Sequence, residues 1–402
     1  MLHLATGTVI RVLERQTGMQ VLEVKLSRQE AGSLQTQKAI SFAREEYSPG
    51  DNLLLNTTAL QLQLGTGGFH LVVGKSAGEV DCDVAPSEWG HIMKMRYSPW
   101  QLAVDAVEEQ ASPFHELFLQ ADLTLEGTPV LIGELHSLLP PAVLALKEKH
   151  PQLRIVYVMP DAASLPIAFS QHVRQLSRAG HLTATVTTGH AWGGNREAVT
   201  IHSGLLAARH VEKADVILCM LGPGVAGTGT VYGFSGVQLA EVIHAVSALG
   251  GTPFFIPRIS FADQRSRHYG ISHHTTAILG RFALAPTIVT LPVLGDERDC
   301  LIEQQAQAIV NSSAKHVLVR GKAPASERLK ALEQRHGLSF STMGRSWEVD
   351  CVPFQTAVLA ADMLGKSMQS GKLAANGEPR LPVSSGTLEA LGLYLTRNEE
   401  QP

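Results

Sequence analysis

The sequence predicts an α/β protein, with a doubly wound, mostly parallel, Rossmann-like sheet preceded by a small all-β, barrel-like N-terminal domain. Two observations predict it. From about residue 128 onward, apolar runs alternate with stretches of helical periodicity, and strands covered by helices on both faces read as such continuous runs. Before residue 95 the segments are short, alternate between apolar and polar, and are separated by turn residues, as in a small barrel or sandwich. At 402 residues, 44% of them hydrophobic, the chain can build two or three domains of ~100–200 residues each.

Residues 1–95 contain GTVIRVLER, MQVLEVKL, KAISFAR, NLLLN, LQLQL and FHLVVG. Turn chemistry separates them at Thr17-Gly18, Ser48-Pro49-Gly50-Asp51 and Gly65-Thr66-Gly67-Gly68. In LQLQL, Leu60, Leu62 and Leu64 share one face and Gln61 and Gln63 the other, which predicts a strand. Residues 96–124 predict a helical connector. Tyr97-Ser98-Pro99-Trp100 reads as a helix start with Pro in the first turn. Leu102, Ala103, Ala106 and Val107 then form a stripe that ends near Ser112-Pro113.

Residues 125–370 predict the α/β domain. Its strands are PVLIGEL (129–135), RIVYVMP (154–160), LTATVTT (182–188), ADVILCML (214–221), TPFFIPR (252–258), PTIVTLPV (286–293) and HVLVR (316–320), with LSFSTMG (338–344) as an eighth. Leu239, Val242, Ile243, Val246 and Leu249 mark one of the intervening helices. The tail, 371–402, is rich in Gly, Ala, Pro and Ser, and its TLEALGLYLTR segment predicts a short amphipathic helix carrying Leu388, Leu391 and Leu395.

Composition excludes several function classes. Lys and Arg number 33 against 37 Asp and Glu, a net charge of −4, which argues against a nucleic-acid partner. Cys82, Cys219, Cys300 and Cys351 form no C-x-x-C pair, so neither a zinc ribbon nor a disulfide framework is expected. The N-terminus lacks the pattern of a secretory signal, and no apolar run approaches the ~20 residues of a membrane span. A cytoplasmic protein without a membrane partner is the expectation.

In an open parallel sheet, ligands bind beyond the carboxyl ends of the strands. There the sequence places Glu134 and His136, then Asp161, then a segment with His190, Trp192 and Arg196, then Arg258 with Asp263, Arg265, Arg267 and His268. After the fourth strand comes GPGVAGTGTVYGFSG (222–236), with six glycines in fifteen residues where the overall content would place about one. It includes a literal G-x-G-x-x-G at Gly222, Gly224 and Gly227. Three strands precede it, however, and no acidic residue closes the next strand, which disfavours a dinucleotide fingerprint. Walker A and H-E-x-x-H motifs are absent, and Gly233-Phe234-Ser235-Gly236 lacks the spacing of a nucleophile elbow.

Glycines let backbone N–H groups converge into an anion-binding nest. The ligand-binding residues expected are therefore Gly222, Gly224, Gly227, Thr228, Gly229, Thr230 and Ser235, with Arg196 and Arg258 neutralising charge. A helix starting at a Ser235 cap would add its dipole. His190 and Glu134 are the candidate acid/base residues. Adjacent His273 and His274 lie ~100° apart on a helix, so no metal site is expected. Cys219, inside an apolar strand, reads as an inert thiol.

HIMKMRYSPWQLAVDAVEEQ (91–110), GHAWGGNREAVTIHSGLLAA (189–208) and the 222–236 segment together resemble an uncharacterised bacterial family, the domain of unknown function DUF3866. The resemblance implies coverage of nearly the whole chain. It brings no activity, cofactor or catalytic residue.

The functional expectation is a binder of a small anionic ligand, a phosphorylated or carboxylate metabolite or a nucleotide, acting as a transferase or hydrolase if it is an enzyme. The cofactor is unknown. The alternatives are a non-catalytic assembly or regulatory protein, as a homodimer, and, further off, a nicotinamide oxidoreductase.

Overall fold

Apolar residues from five N-terminal strands fill a common interior, and these strands dispose of their open edges by closing on themselves. The computed structural model describes residues 2–16, 19–27, 36–42, 45–63, 68–84, 87–313, 316–369 and 394–395. It divides into two units, Met1–Glu116 and Leu117–Pro402.

The first unit contains β1 (Leu2–Gln16), β2 (Met19–Leu26), β3 (Gln37–Ser41), β4 (Asn52–Asn56), a single-turn α1 (Thr58–Gln61), β5 (Phe69–Lys75) and β6 (Asp81–Val84). Strand order β2-β3-β5-β4-β1, with β1 also pairing β2, closes a five-stranded barrel, and β6 adds to the start of β1. Register shifts at Val9/Arg11 and Val12/Glu14 bend β1 so that it can serve three neighbours. Val9, Leu22, Val24, Ala39, Tyr47, Leu53, Leu55 and Val72 fill the interior. The expected Ser48–Asp51 turn is present, with Asp51 accepting from the Ser48 amide and Gly50 at φ +92°. The Thr17-Gly18 turn, Gly65–Gly67 and Leu64 lie outside the described residues.

LQLQL is not a strand. The Asn56 side chain accepts from the Thr58 amide and donates to the carbonyls of Pro99 and Gln101, which turns the chain into α1. The connector helix expected from Tyr97 is likewise absent: β7 (Ile92–Lys94) pairs antiparallel with β8 (Leu102–Val104), and a single turn, α2 (His115–Phe118), follows. Tertiary bonds override the helical stripe here. The Asp105 carboxylate accepts from Ser87 Oγ and from the amides of Glu88, Trp89 and Gly90. Those bonds draw Gly90 so close to β8 that a Cβ there would overlap the Val104 carbonyl. Gly90→Ala is expected to destabilise the full chain by about 1–3 kcal/mol, read as a lower urea midpoint; an unchanged midpoint would contradict this packing.

The second unit is built on eight parallel strands: β9 (Pro129–Gly133), β10 (Ile155–Met159), β11 (Ala184–Thr188), β12 (Arg196–Ala198), β13 (Val216–Met220), β14 (Thr252–Ile256), β17 (Ile288–Val293) and β18 (Val317–Lys322). Two hairpins stand outside the sheet, β15 (Ile259–Ser260) with β16 (Gly270–Ile271) and β19 (Ser341–Thr342) with β20 (Arg345–Ser346). The spatial order is β12-β11-β10-β13-β9-β14-β17-β18. The seven strands read from apolar runs are all present. The eighth is the short edge strand β12, whereas 338–344 turns back at Met343-Gly344, both at positive φ, to form the β19–β20 hairpin. Of the expected C-terminal helix, the described residues Tyr394–Leu395 are instead extended as β21, antiparallel to β18; the remainder lies outside the described residues.

The helices are α3 (Leu139–Lys149), α4 (Gln171–Arg178), α5 (Ile201–Leu206), α6 (Leu239–Ala248), α7 (His273–Ala277), α8 (Arg298–Ser312), α9 (Ser326–His336) and α10 (Val352–Gln369). Connections from β9 through β11 run one way along the sheet and those from β12 onward run the other. Right-handed crossovers therefore place α3 and α4 on one face and α5 to α8 on the opposite one. α9 and α10 pack with α3, and α10 also covers β9, β14 and β17. The main core lies under α3, α4, α9 and α10, where Leu131, Tyr157, Leu218, Phe254, Phe354 and Leu364 are buried. Among the described residues, no helix is long and apolar enough to cross a membrane.

Candidate functional site

β9 is the first strand of the sheet and ends up between β13 and β14. The chain leaves β9 toward one face and leaves β13 toward the other, so the carboxyl ends of these strands form the switch point where ligands bind in open sheets. Glu134 follows β9 directly. The Gly/Thr loop arrives from β13, and Arg258 and the β15–β16 hairpin arrive from β14. The hairpin ends at Ser272, whose hydroxyl accepts the His274 amide and starts α7.

These segments converge on Glu134, which is 1% exposed. Its Oε1 accepts from His274 Nδ1 at 2.6 Å and from Arg258 Nη1 at 3.2 Å. Its Oε2 is buried without a hydrogen-bond partner among the described residues. Phe234 stacks flat on the His274 ring, with centroids 4.1 Å apart. Behind Arg258, Asp263 lies 3.7 Å from its guanidinium and accepts a bidentate pair from Arg265. Hydrogen bonds from Arg265 hold the Asp263 carboxyl well below the usual range. His268 and His273 complete the cluster. Burial, reinforced by Arg258, Arg265 and His274, pushes His268 down to about 3, and burial lowers His273 as well, so both are neutral imidazoles at pH 7.

The glycine bias of the loop has a steric cause here. A Cβ on Gly236 would sit 3.2 Å from Glu134 Cγ, and one on Gly227 3.3 Å from His274 Cε1. Gly224 and Gly229 take φ of +101° and +77°. The loop hydroxyls are engaged within the loop: Thr228 Oγ1 donates to the Gly233 carbonyl, Thr230 Oγ1 accepts the Gly233 amide, and Ser235 Oγ accepts the Ala226 amide. They shape the hairpin and do not point to a ligand as donors. The N–H groups of Gly229, Thr230 and Val231 have no protein partner among the described residues. The exposed Arg267, which forms no ion pair among the described residues, presents its guanidinium 3.4 Å from where a Gly229 Cβ would be. Gly222 lies deeper, against Met159 Sδ. The expected helix start at Ser235 is a 3-10 turn, Ser235–Gln238, that leads into α6.

The structure thus brings together Glu134, Arg258 and the glycines of the loop. It does not bring in His190 or Arg196. His190 lies two residues past β11, which is three strands from β9, roughly 14 Å at the ~4.8 Å strand spacing. Its amide is tied to Asp161. Arg196 opens the edge strand β12, farther still, and pairs with Glu212 at 2.6 Å. Arg258 is spent on Glu134 and Asp263, so it positions the carboxylate; Arg267 is a cation left at the loop beside Gly229, and Arg281 stacks over the loop's Tyr232 at 5.1 Å.

Two further findings concern histidines. His273 and His274 do not diverge as a regular helix would have them: their ring centroids are 4.4 Å apart, and His268 fits against both at 4.9 and 5.0 Å. His136 is a satisfied core residue: Nε2 accepts from Ser170 Oγ at 2.6 Å and Nδ1 donates to the Leu221 carbonyl at 3.2 Å. Cys219 is buried, and burial pushes its thiol up, as expected for an inert core cysteine.

A family model described as a protein of unknown function (DUF3866) matches residues 38–361. No curated protein matches the chain.

Proposed function

Because the chain belongs to the DUF3866 family, whose function is unknown, its activity must be read from its own residues, and we propose that it binds a small anionic metabolite at the β9/β13/β14 switch point and acts on it by hydrolysis or group transfer. The observation that carries this reading is the exposed turn at 229–231. Three consecutive N–H groups there have no protein partner among the described residues, and the Arg267 guanidinium lies beside the first of them, at Gly229; backbone N–H groups with an arginine are a combination that receives a phosphate or carboxylate. Next to it, the His274 Nδ1–H is held by Glu134, which leaves Nε2 as the basic nitrogen of the pair. Glu134 keeps the acid/base part expected of it, acting through His274, and His274 takes the place expected for His190.

Thermal-shift titration with inorganic phosphate, sugar phosphates, nucleotides and carboxylates tests the reading. A ligand at ~100 times its Kd stabilises by about 2.7 kcal/mol, which the melt detects. Arg267→Ala is expected to weaken the binding about 10–100-fold, in line with the ~1.5–3 kcal/mol of a charged hydrogen bond. Gly224→Ala, forcing a side chain onto φ +101°, is expected to weaken it too. No stabilisation by any anion, or binding indifferent to both substitutions, would overturn the proposal.

A further inference from the structure

We propose that His268, His273 and His274 form a site for one divalent transition metal of the zinc class, with Glu134 orienting the site from behind. Their ligand atoms all lie within 4.8 Å of one another. Tetrahedral coordination with Zn–N bonds of ~2.0–2.1 Å needs nitrogens ~3.4 Å apart, which small ring rotations supply.

The second nitrogen of two rings is already assigned. His274 Nδ1 donates to Glu134 Oε1 at 2.6 Å, and His268 Nδ1 lies 2.7 Å from Ser272 Oγ. In each ring this leaves Nε2 to the cluster. The carboxylate behind His274 is the arrangement that fixes the tautomer of a metal-bound histidine, and the Ser272 hydroxyl orients the His268 ring. The third ring supplies an independent sign: His273 Nε2 is buried and has no hydrogen-bond partner among the described residues. Three imidazoles pressed together, beside a Glu134 whose Oε2 also lacks a partner among the described residues, form a poor packing unit by themselves. A cation shared between the rings resolves it.

The donor set also selects the metal. Nitrogen-only ligation suits Zn²⁺, Co²⁺, Ni²⁺ or Cu²⁺, and it disfavours Mg²⁺ and Ca²⁺, which take oxygen ligands. Three protein ligands leave a coordination position for water or a substrate oxygen, the pattern of catalytic rather than structural zinc. The glycine at position 227 is then required twice over, since a side chain there would lie 3.4 Å from His274 Nε2.

The inference does not depend on anion binding, which rests on Arg267 and the loop, but it displaces the acid/base part given to His274 above, because Nε2 cannot both bind a metal and take a proton; a water on the open coordination position would take that part instead. The test uses the full chain, stripped with a chelator and titrated with ZnCl₂ by equilibrium dialysis and with CoCl₂ by visible absorption. One equivalent of each is expected, with Co²⁺ bands of low coordination number that Zn²⁺ abolishes. His268→Ala and His274→Ala are expected to abolish stoichiometric binding. His273→Ala, at the least buried ligand, does the same with the smallest effect on folding, and circular dichroism of the metal-free variants separates a lost ligand from a lost fold. Glu134→Gln is expected to retain the site with about 10–100-fold weaker affinity. Absence of stoichiometric binding by the wild-type chain overturns the inference, as does wild-type affinity in His273→Ala. Phosphate binding that persists in chelator and needs Arg267, without metal binding, rejects the metal and leaves the anion reading standing.

Discussion

Replacing Glu134 with alanine is expected to destabilise the protein by about 3–5 kcal/mol, the usual effect of removing one partner from a buried ion pair. The Glu134 and Arg258 side chains are 1% and 7% exposed. Without the carboxylate, Arg258 keeps, among the described residues, one ion-pair partner, Asp263 at 3.7 Å, and Asp263 is already committed to Arg265. His274 Nδ1–H loses its acceptor as well. Urea unfolding of Glu134→Ala, Arg258→Met and the double variant measures the coupling. The double variant, with no uncompensated charge, is expected to recover much of the loss. A single-variant loss below about 1 kcal/mol would show that the pair is not buried as described.

Acid is expected to weaken the second unit through His136. Burial lowers its pKa in the folded state to about 4, against 6.5 for the free side chain. The unfolded chain therefore takes up a proton at this position before the folded one does. The stabilisation is complete above pH 6.5 and is lost as pH falls toward 4, by about 3 kcal/mol. Protonation would also place an N–H where Ser170 now donates, while Ser170 already accepts the Val173 amide as the cap of α4. Unfolding free energies at pH 7 and pH 4 for the wild type and His136→Gln give the difference directly. The wild type should lose about 3 kcal/mol more than the variant, and equal losses would refute the assignment.

How far the architecture could be read from residues depended on burial. Val130–Ile132, Ile155–Val158 and Val216–Cys219 are buried on both faces, and a continuous apolar run is the visible mark of that. β12 is an edge strand of sequence Arg-Glu-Ala and carries no such mark. LQLQL and the 97–107 stripe misled for another reason: period and stripe are local, whereas Asn56 and Asp105 act through partners far along the chain. The site divides similarly. Glu134 and Arg258 were legible because they stand at strand ends. That His190 is excluded and His274 included follows from strand order, which sets β11 three places from β9 and β14 beside it. No local pattern records that order. The glycines at 224–236 were visible as a bias, but their steric reason, the closeness of Glu134 and His274, belongs to the tertiary structure.

The central place of β9 also bears on the order of events during synthesis. It leaves the ribosome first among the sheet strands, yet Leu131 pairs with Leu218 on one side and Phe254 on the other, about 90 and 120 residues later. Its cover, α10, is made more than 200 residues later. At ~5–20 residues per second, the two edges of this apolar strand wait roughly 4–25 s for their partners and its cover follows after roughly 11–44 s. Helix α3 can form beside it early, but the sheet must be entered from the middle and finished from the end. This is a high-contact-order assembly, in which the nascent chain itself is the species most exposed to aggregation.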